Sequence, residues 1–173
     1  MELTPGLDLA WPLPVIPRIA VADARLELPQ QAKRFRWNEW KTLSAFRPES
    51  LAGSSRWIDL LLDRQEAGTL DLTMSLTYPV LVLSKPTTGP AAARLRDRVW
   101  DRWGVPVFEQ WRDDRGRLLA WECEAHGPLH VSACYEGPAL IQAECACGTI
   151  NVRCVALEYL TPGQRLLTAA AAD

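Results

Sequence analysis

The sequence lacks the long apolar stretches that membrane proteins require. No run approaches the roughly 20 consecutive apolar residues that cross a bilayer as a helix. The first residues, MELTPGLDLAWPLP, also lack the positively charged region and the uninterrupted apolar core of a secretory signal. The sequence therefore predicts a cytoplasmic protein without a membrane span.

The protein also has very little net charge. Nineteen basic and 21 acidic residues give a formal net charge of -2. A charge this small creates no global attraction to nucleic acid or to an anionic membrane, so any such contact would be local. The 173 residues, 48% of them hydrophobic, are enough for one well-buried core, and we expect one domain with appendages.

Histidine is scarce, with two residues, and cysteine occurs in an odd number, five. All five cysteines lie between Cys123 and Cys154. An odd, clustered set fits a reducing compartment and a metal site better than a disulfide framework. Because His126 and His130 lie close together in the same region, spacing alone does not choose between them as ligands.

Prolines interrupt the first thirty residues at positions 5, 12, 14, 17 and 29. This density excludes a helix and predicts an extended arm over residues 1–29, with short strand-like pieces such as 15–21. The arm carries many apolar side chains, so we expect it to lie along the domain or along a partner subunit.

Residues 30–46 (QQAKRFRWNEWKTLSAF) predict an amphipathic helix that carries both aromatic and basic side chains. Basic residues between aromatic ones are also typical of nucleic-acid binding, which supplies one alternative interpretation. In a slightly acidic chain, a helix with a solvated basic edge is the interpretation that we adopt.

Helices and strands then alternate. The periodicity predicts helices over residues 55–67 and 91–103, the first capped by Ser54 or Ser55, and strands over 70–76, 78–83, 105–111 and 117–122. This alternation is typical of an α/β fold, and we expect a single domain with a mixed sheet and two or three helices. The predicted division is an arm at 1–29, an α/β domain at 30–160 and a tail at 161–173.

A series of motifs resembles one enzyme family. A helix ending in Trp-Gly is followed by VPVFEQW, LLAWEC, PLHV and CACG. This series resembles the core of the phenylacetate–CoA ligase family of adenylate-forming (AMP-binding) enzymes, including its capsule-biosynthesis-like relatives. The resemblance covers about residues 54–154 and does not extend to the first fifty residues.

The resemblance implies that the ATP-handling positions have changed. The family's signature contains an aromatic residue that stacks on adenine, a threonine that meets phosphate and a glutamate that holds magnesium. An ungapped match puts Trp111 at the aromatic position, Arg112 at the signature's glycine, Asp114 at the threonine and Arg115 at the glutamate. A cation does not ligate Mg²⁺, and a carboxylate repels a triphosphate. The family's phosphate loop, ribose-binding segment and mobile C-terminal domain also lack counterparts, so we expect no ligase activity.

The same resemblance implies a structural zinc site. Cys123, His130, Cys145 and Cys147 match the Cys, His and Cys-x-Cys of family members, and three thiolates with one imidazole form a tetrahedral set for structural zinc. A catalytic zinc keeps one position open, so four protein ligands favour a closed site that staples the C-terminal hairpin region at 123–147. Three further residues remain alternative ligands: His126, Cys134 and Cys154.

Two catalytic interpretations compete with the zinc site. Cys123 has Glu122 and His126 nearby in sequence, which is compatible with a cysteine nucleophile. Glu109 and Glu122, with the acidic residues of RDDRG, could supply a carboxylate pair, but RDDRG between two strands is more simply a charged turn.

The hypothesis from sequence is a non-catalytic, zinc-containing remnant of an adenylate-forming ligase that acts as an interaction or scaffold subunit of a larger complex. Its partner would be another protein or a second copy of the chain. Two alternatives remain: a protein that uses the former acyl-substrate cleft for an acyl or aromatic acid, and a nucleic-acid-associated zinc protein.

Overall fold

The computed structural model of the protein describes residues 9, 15–23, 26–86, 93–125, 128–137 and 139–155, with the backbone alone at 140–143. Within these residues a single sheet contains nine strands, in the order β2-β1-β3-β4-β5-β6-β7-β9-β8. No helix in the described part of the chain is long and apolar enough to cross a membrane. The elements in chain order are β1 (Ile19–Val21), β2 (Ala32–Arg34), α1 (Trp40–Phe46), β3 (Ser50–Gly53), α2 (Ser55–Glu66), β4 (Val80–Ser84), α3 (Ala93–Trp103), β5 (Val107–Arg112), β6 (Leu118–Trp121), β7 (Leu129–Val131), β8 (Leu140–Glu144) and β9 (Ile150–Val155).

The sheet has a parallel half and an antiparallel half. Strands β2, β1, β3, β4 and β5 pair in parallel, whereas β6, β7, β9 and β8 continue the sheet in antiparallel pairs. Parallel neighbours need crossover connections, and α2 and α3 supply them between β3, β4 and β5. The predicted mixed α/β fold is confirmed.

Each face of the parallel half has its own hydrophobic cluster, because successive side chains of a strand point to opposite faces. On one face, residues of the three helices pack against strand residues such as Leu51, Val82 and Val107. On the other face, Leu81 and Phe108 pack against apolar residues of the N-terminal segment. The strands β1, β3, β4 and β5 are therefore buried on both sides, whereas the edge strand β2 is largely exposed.

The N-terminal segment is part of this core. Leu9 and Leu26 are 1% and 2% exposed and belong to the second cluster, against which Ile16 and Leu28 also pack. Strand β1 lies between β2 and β3, and its three residues are fully buried. An appended arm is thus not supported for the described residues of 1–29.

The helix predicted over residues 30–46 is wrong in its first ten residues. Ala32–Arg34 forms β2, and α1 begins only at Trp40. The backbone of this segment pairs with β1, and the Phe35 amide donates to the Val21 carbonyl at 2.9 Å. Sheet hydrogen bonds have therefore overridden a helical pattern of side chains.

The strand predicted over residues 70–76 is also wrong. The amides of Ser75 and Leu76 both donate to the Leu72 carbonyl at 3.0 Å, which is a turn. Leu72 and Leu76 are buried in the core beneath the helices, while Met74 is 84% exposed. The alternation of burial arises from the turn and not from a strand.

The bounds of α2 and α3 agree with the predicted ranges to within two residues. Ser54 is the N-cap of α2, where its hydroxyl accepts from the Trp57 amide at 3.3 Å. Gly104 ends α3 with a φ of 67°, a left-handed conformation that favours glycine. The first two residues of the range predicted for α3, 91–92, lie outside the described residues.

Candidate metal centre

The antiparallel half of the sheet brings three chain segments to one place. Cys123 follows the end of β6 by two residues, and His130 is the central residue of β7. Cys145 and Cys147 lie in the connection between β8 and β9. Because β6, β7 and β9 are consecutive neighbours in the sheet, these segments converge although the outermost ligands are more than twenty residues apart in sequence.

The β8–β9 connection is a tight turn that presents two thiols. Glu144 pairs with Ile150 across the hairpin, and the Cys145 amide donates to the Thr149 carbonyl at 2.9 Å. Within the turn, the Gly148 amide donates to the Cys145 carbonyl at 2.8 Å, and Gly148 has a φ of 82°. Only glycine adopts this conformation freely, so the glycine of CACG sets the turn.

The four predicted ligands form one cluster. One ligand atom from each of Cys123, His130, Cys145 and Cys147 lies within 4.8 Å of all the others. The Cys123 and Cys145 sulfurs are 3.7 Å apart, and His130 Nε2 is 3.2 Å from Cys145 Sγ and 3.7 Å from Cys147 Sγ. Tetrahedral zinc with standard bond lengths would separate two sulfurs by about 3.8 Å and a sulfur from a nitrogen by about 3.6 Å. The donor set and its spacing fit a zinc ion.

Neighbouring side chains hold the ligands in place. The Trp121 ring packs against the His130 ring with centroids 5.7 Å apart. Thr149 Oγ1 lies 3.2 Å from Cys147 Sγ, within hydrogen-bonding distance. Such outer contacts fix the orientation of metal ligands.

The surroundings of the cluster favour the ligand form of histidine but not a free thiolate at Cys123. Burial lowers the pKa of the His130 imidazole, which keeps the ring neutral and able to bind a metal. Burial, with help from the neighbouring thiols, raises the pKa of Cys123 to about 12. Metal binding at neutral pH would therefore displace a proton from Cys123. A raised pKa is also the opposite of what an activated cysteine nucleophile needs.

Cys147 is the least buried of the three thiols. Burial opposes its ionisation too, but hydrogen bonds from Thr149 and from the neighbouring thiols outweigh it and lower the pKa of Cys147. The Cys147 thiol therefore ionises more easily than an ordinary cysteine.

The alternative ligands stand apart from this cluster. Cys134 is exposed, and Cys154 is buried beside the cluster but is not one of its four members. Cys154 is the strand partner of His130, and burial raises the pKa of its thiol to about 11. His126 lies outside the described residues.

Two of the residues that match the ATP signature, Trp111 and Arg112, lie in the core. Trp111 is 1% exposed and packs against Tyr135 with centroids 6.3 Å apart, so its ring has no free face for adenine. Arg112 is also 1% exposed, and it donates to the Gly116 carbonyl at 2.7 Å and to Gln110 Oε1 at 2.9 Å. These two side chains belong to the core.

The RDDRG segment is a turn, as the sequence indicates. Asp113 accepts hydrogen bonds from the amides of Arg115 and Arg117 at 2.9 and 2.8 Å, and it forms an ion pair with the Arg117 side chain. Asp114 forms an ion pair with Lys85. The carboxyl pKa of Asp113 is lowered, above all by its hydrogen bond from Arg117.

One buried polar cluster was not predicted. Glu109 and Glu122 are 0% and 4% exposed, and both lie against Arg96 of α3. Arg96 donates to Glu122 at 2.9 Å and to the Val107 carbonyl at 2.7 Å, while Ser84 donates to Glu109 at 2.6 Å. The two carboxylates are thus held within the fold by Arg96 and Ser84.

Comparison with known proteins adds a set of distant structural likenesses. No protein-family profile matches the sequence, and no characterised protein matches it by sequence. The fold is similar to a 2-hydroxyisobutyryl-CoA ligase in complex with 2-HIB-AMP and CoA, with a TM-score of 0.49, 12% identity, and coverage of 65% of this chain and 29% of that one. It is also similar to an anthranilate–CoA ligase in complex with anthranoyl-AMP, with a TM-score of 0.42, 15% identity, and coverage of 65% of this chain and 21% of that one. A third similar structure is a mutant form of coronafacic acid ligase from Pectobacterium brasiliense, with a TM-score of 0.43, 14% identity, and coverage of 68% of this chain and 23% of that one. The chain spans less than a third of the length of each of these proteins.

Proposed function

We propose that this protein is a zinc-containing, non-catalytic remnant of the adenylate-forming ligase core that acts as a cytoplasmic interaction or scaffold subunit. The observation that carries the zinc assignment is the cluster of four ligand atoms within 4.8 Å of one another. Three sulfurs and one imidazole nitrogen select zinc over the hard cations, which take oxygen ligands. Zinc would be held by Cys123, His130, Cys145 and Cys147, and it would stabilise the fold.

A structural role for the metal is supported by the saturation of the site. Four protein ligands leave no open tetrahedral position for a water or a substrate. Cys123, His130 and Cys145 are each less than 5% exposed. A buried, closed site supplies folding energy and does not activate a nucleophile.

The zinc assignment is tested on protein purified without added metal. Elemental analysis is expected to give about one zinc per chain, and X-ray absorption at the zinc edge should show three sulfurs near 2.3 Å and one nitrogen near 2.0 Å. Protein that folds fully with no metal bound, or zinc surrounded only by oxygen and nitrogen, would exclude the site.

The non-catalytic assignment is supported by the state of the ATP-signature positions. Trp111 and Arg112 are buried in the core, and Asp114 is paired with Lys85. None of these side chains is placed to receive an adenine ring, a phosphate or a magnesium ion. What remains is a compact α/β body whose described surface carries large exposed aromatic residues, Trp37 and Trp100, of the kind enriched in protein interfaces.

Titration with Mg-ATP should give no heat of binding, because the positions that would hold adenine and magnesium carry Trp111 in the core and Arg115 in a turn. Isothermal calorimetry on zinc-loaded protein provides the measurement. Arg115→Glu, which restores the carboxylate alone, is also expected to give a flat titration. A micromolar dissociation constant in the unmodified protein would contradict the non-catalytic assignment without affecting the zinc site.

A further inference from the structure

The three sulfur atoms of the metal cluster lie close enough to one another to form a disulfide bond. Cys123 follows β6, whereas Cys145 and Cys147 lie in the β8–β9 turn. The Cys123 and Cys145 sulfurs are 3.7 Å apart, and the Cys147 sulfur lies within 4.8 Å of both. A disulfide joins its sulfurs at about 2.05 Å, so movements of about 3 Å or less, within the range of side-chain rotation, are sufficient.

The three sulfur ligands differ in their access to solvent. Cys123 and Cys145 are 2% and 4% exposed, whereas Cys147 is only partly buried. Its neighbours in the turn, Ala146 and Gly148, are exposed, and a Cβ built on Gly148 would meet no heavy atom of the described residues within 4 Å. The turn therefore faces open space. A small solute such as hydrogen peroxide can approach the cluster at Cys147.

The proposed zinc site also determines the chemical form of these sulfurs. Cysteines bind zinc as thiolates, and the thiolate is the form of cysteine that attacks peroxides. Cys134 is exposed as well, but it lies outside the four-residue cluster. Cys147 differs from it in having two further sulfur ligands beside it. An accessible thiolate next to a second one is the arrangement in which oxidation ends in a disulfide.

We propose, on the basis of the proposed zinc site, that Cys147 is an oxidation site for hydrogen peroxide and that Cys123 is its resolving thiol. The Cys147 sulfur attacks one peroxide oxygen, the O–O bond breaks, and the departing hydroxide takes up a proton to become water. The Cys123 sulfur then attacks the sulfenic acid at Cys147, so that the S–S bond forms and the S–O bond breaks, and the second hydroxide also becomes water. Two thiolates, one peroxide and two protons thus give one disulfide and two waters, and the peroxide accepts the two electrons.

Cys123 suits the resolving step better than Cys145 does. Cys145 and Cys147 are separated by one residue in a turn that backbone hydrogen bonds hold, so they reach disulfide geometry only with strain. A bond between Cys123 and Cys147 instead joins two segments that are distant in sequence. It leaves only His130 and Cys145 as ligands, which is too few for a tetrahedral zinc site. Oxidation would therefore release the metal, and reduction would restore the site.

The test uses zinc-loaded Cys134→Ser protein, which lacks the exposed thiol outside the cluster. One equivalent of hydrogen peroxide is added, and a colorimetric chelator follows the released zinc. Zinc release should accompany disulfide formation, with peptide mass spectrometry showing a Cys123–Cys147 link and dimedone trapping the sulfenic acid at Cys147. Dithiothreitol with added zinc should then restore the zinc content. Protein without zinc before oxidation would overturn the proposed function, whereas zinc that stays bound after oxidation would overturn the redox assignment alone.

Two variants of this protein assign the roles of individual thiols. Cys147→His retains four ligands, since two thiolates and two imidazoles also bind structural zinc. It lacks the proposed oxidation site, so peroxide should release its zinc about tenfold more slowly or not at all. Cys154→Ala changes a buried thiol outside the cluster and should release zinc at the parent rate.

Three results would contradict the assignment of Cys147: zinc-loaded Cys147→His releases zinc as fast as its parent, Cys154→Ala protects the zinc, or the parent's disulfide does not contain Cys147. Should Cys147→His bind no zinc, the disulfide map of the parent decides.

Discussion

Loss of the metal is expected to destabilise the whole fold, because the ligands connect the strands of the antiparallel half of the sheet. Cys145→Ser removes one of four ligands from a cluster that ties together β6, β7 and the β8–β9 turn. Around the ligands themselves, the core cluster consists largely of the cysteines with Val152. Structural zinc contributes on the order of 10 kcal/mol to the folding of small domains, comparable to the whole stability of a typical protein. Elemental analysis and thermal unfolding would therefore show loss of zinc and a much lower melting temperature.

Cys134→Ser is the matched control for this prediction. Cys134 is exposed and lies outside the four-residue cluster, so the same chemical change there should alter neither zinc content nor melting temperature. Excess chelator should lower the melting temperature of the unmodified protein toward that of Cys145→Ser. Equal melting temperatures for Cys145→Ser and the unmodified protein would show that the cluster does not support the fold.

Val21→Asp is expected to prevent folding altogether. Val21 is fully buried in β1, an interior strand, and it packs in the cluster that contains Leu9 and Phe108. A carboxylate at this position would have no partner among the apolar residues of the cluster. Burying an unpaired charge costs several kcal/mol or more, a large part of a typical stability of about 5–15 kcal/mol. Circular dichroism and size-exclusion chromatography should show an unfolded or aggregated protein.

Val15→Asp makes the same change at a position that is 58% exposed. It should alter the free energy of unfolding by no more than about 0.5 kcal/mol. A folded, monodisperse Val21→Asp protein would mean that β1 is dispensable and that residues 1–29 behave as the appended arm predicted from their prolines.

The sequence predicts most accurately where one local pattern decides the structure. Local patterns are sufficient to predict α2 and α3 from their periodicity and β4 from its apolar run. The two helices each bury one apolar face, and β4 is buried on both faces. A metal site among the clustered cysteines and histidines was predicted from residue types, but the choice of Cys123, Cys145 and Cys147 over Cys134 and Cys154 came from the family resemblance. The choice of His130 came from family resemblance, because spacing alone left His126 open.

The remaining features depend on partners that are distant in sequence. Strand β2 has only three residues and no periodicity of its own, and it exists because β1 offers a parallel edge. Arg96 lies in α3 and Glu122 directly follows β6, so their contact joins residues that are 26 positions apart in sequence. No local pattern marks such a pair, whose position is fixed only when α3 packs on the sheet. The turn at 70–76 has a different cause: its buried residues Leu70, Leu72 and Leu76 alternate with polar or exposed ones, as they would in a strand.

The ion pair between Arg96 and Glu122 affects how the protein unfolds. Glu122 precedes Cys123 directly in the chain, and its carboxylate also accepts from the Glu109 amide of β5 at 3.0 Å. A displacement of Cys123 after metal release would therefore disturb the buried ion pair between Glu122 and Arg96. Because Arg96 belongs to α3, the disturbance would reach the parallel half of the sheet. The two halves of the sheet are then joined mechanically as well as through the hydrogen bonds of β5 and β6. Melting would be a single cooperative event, with no stage at which one half persists without the other.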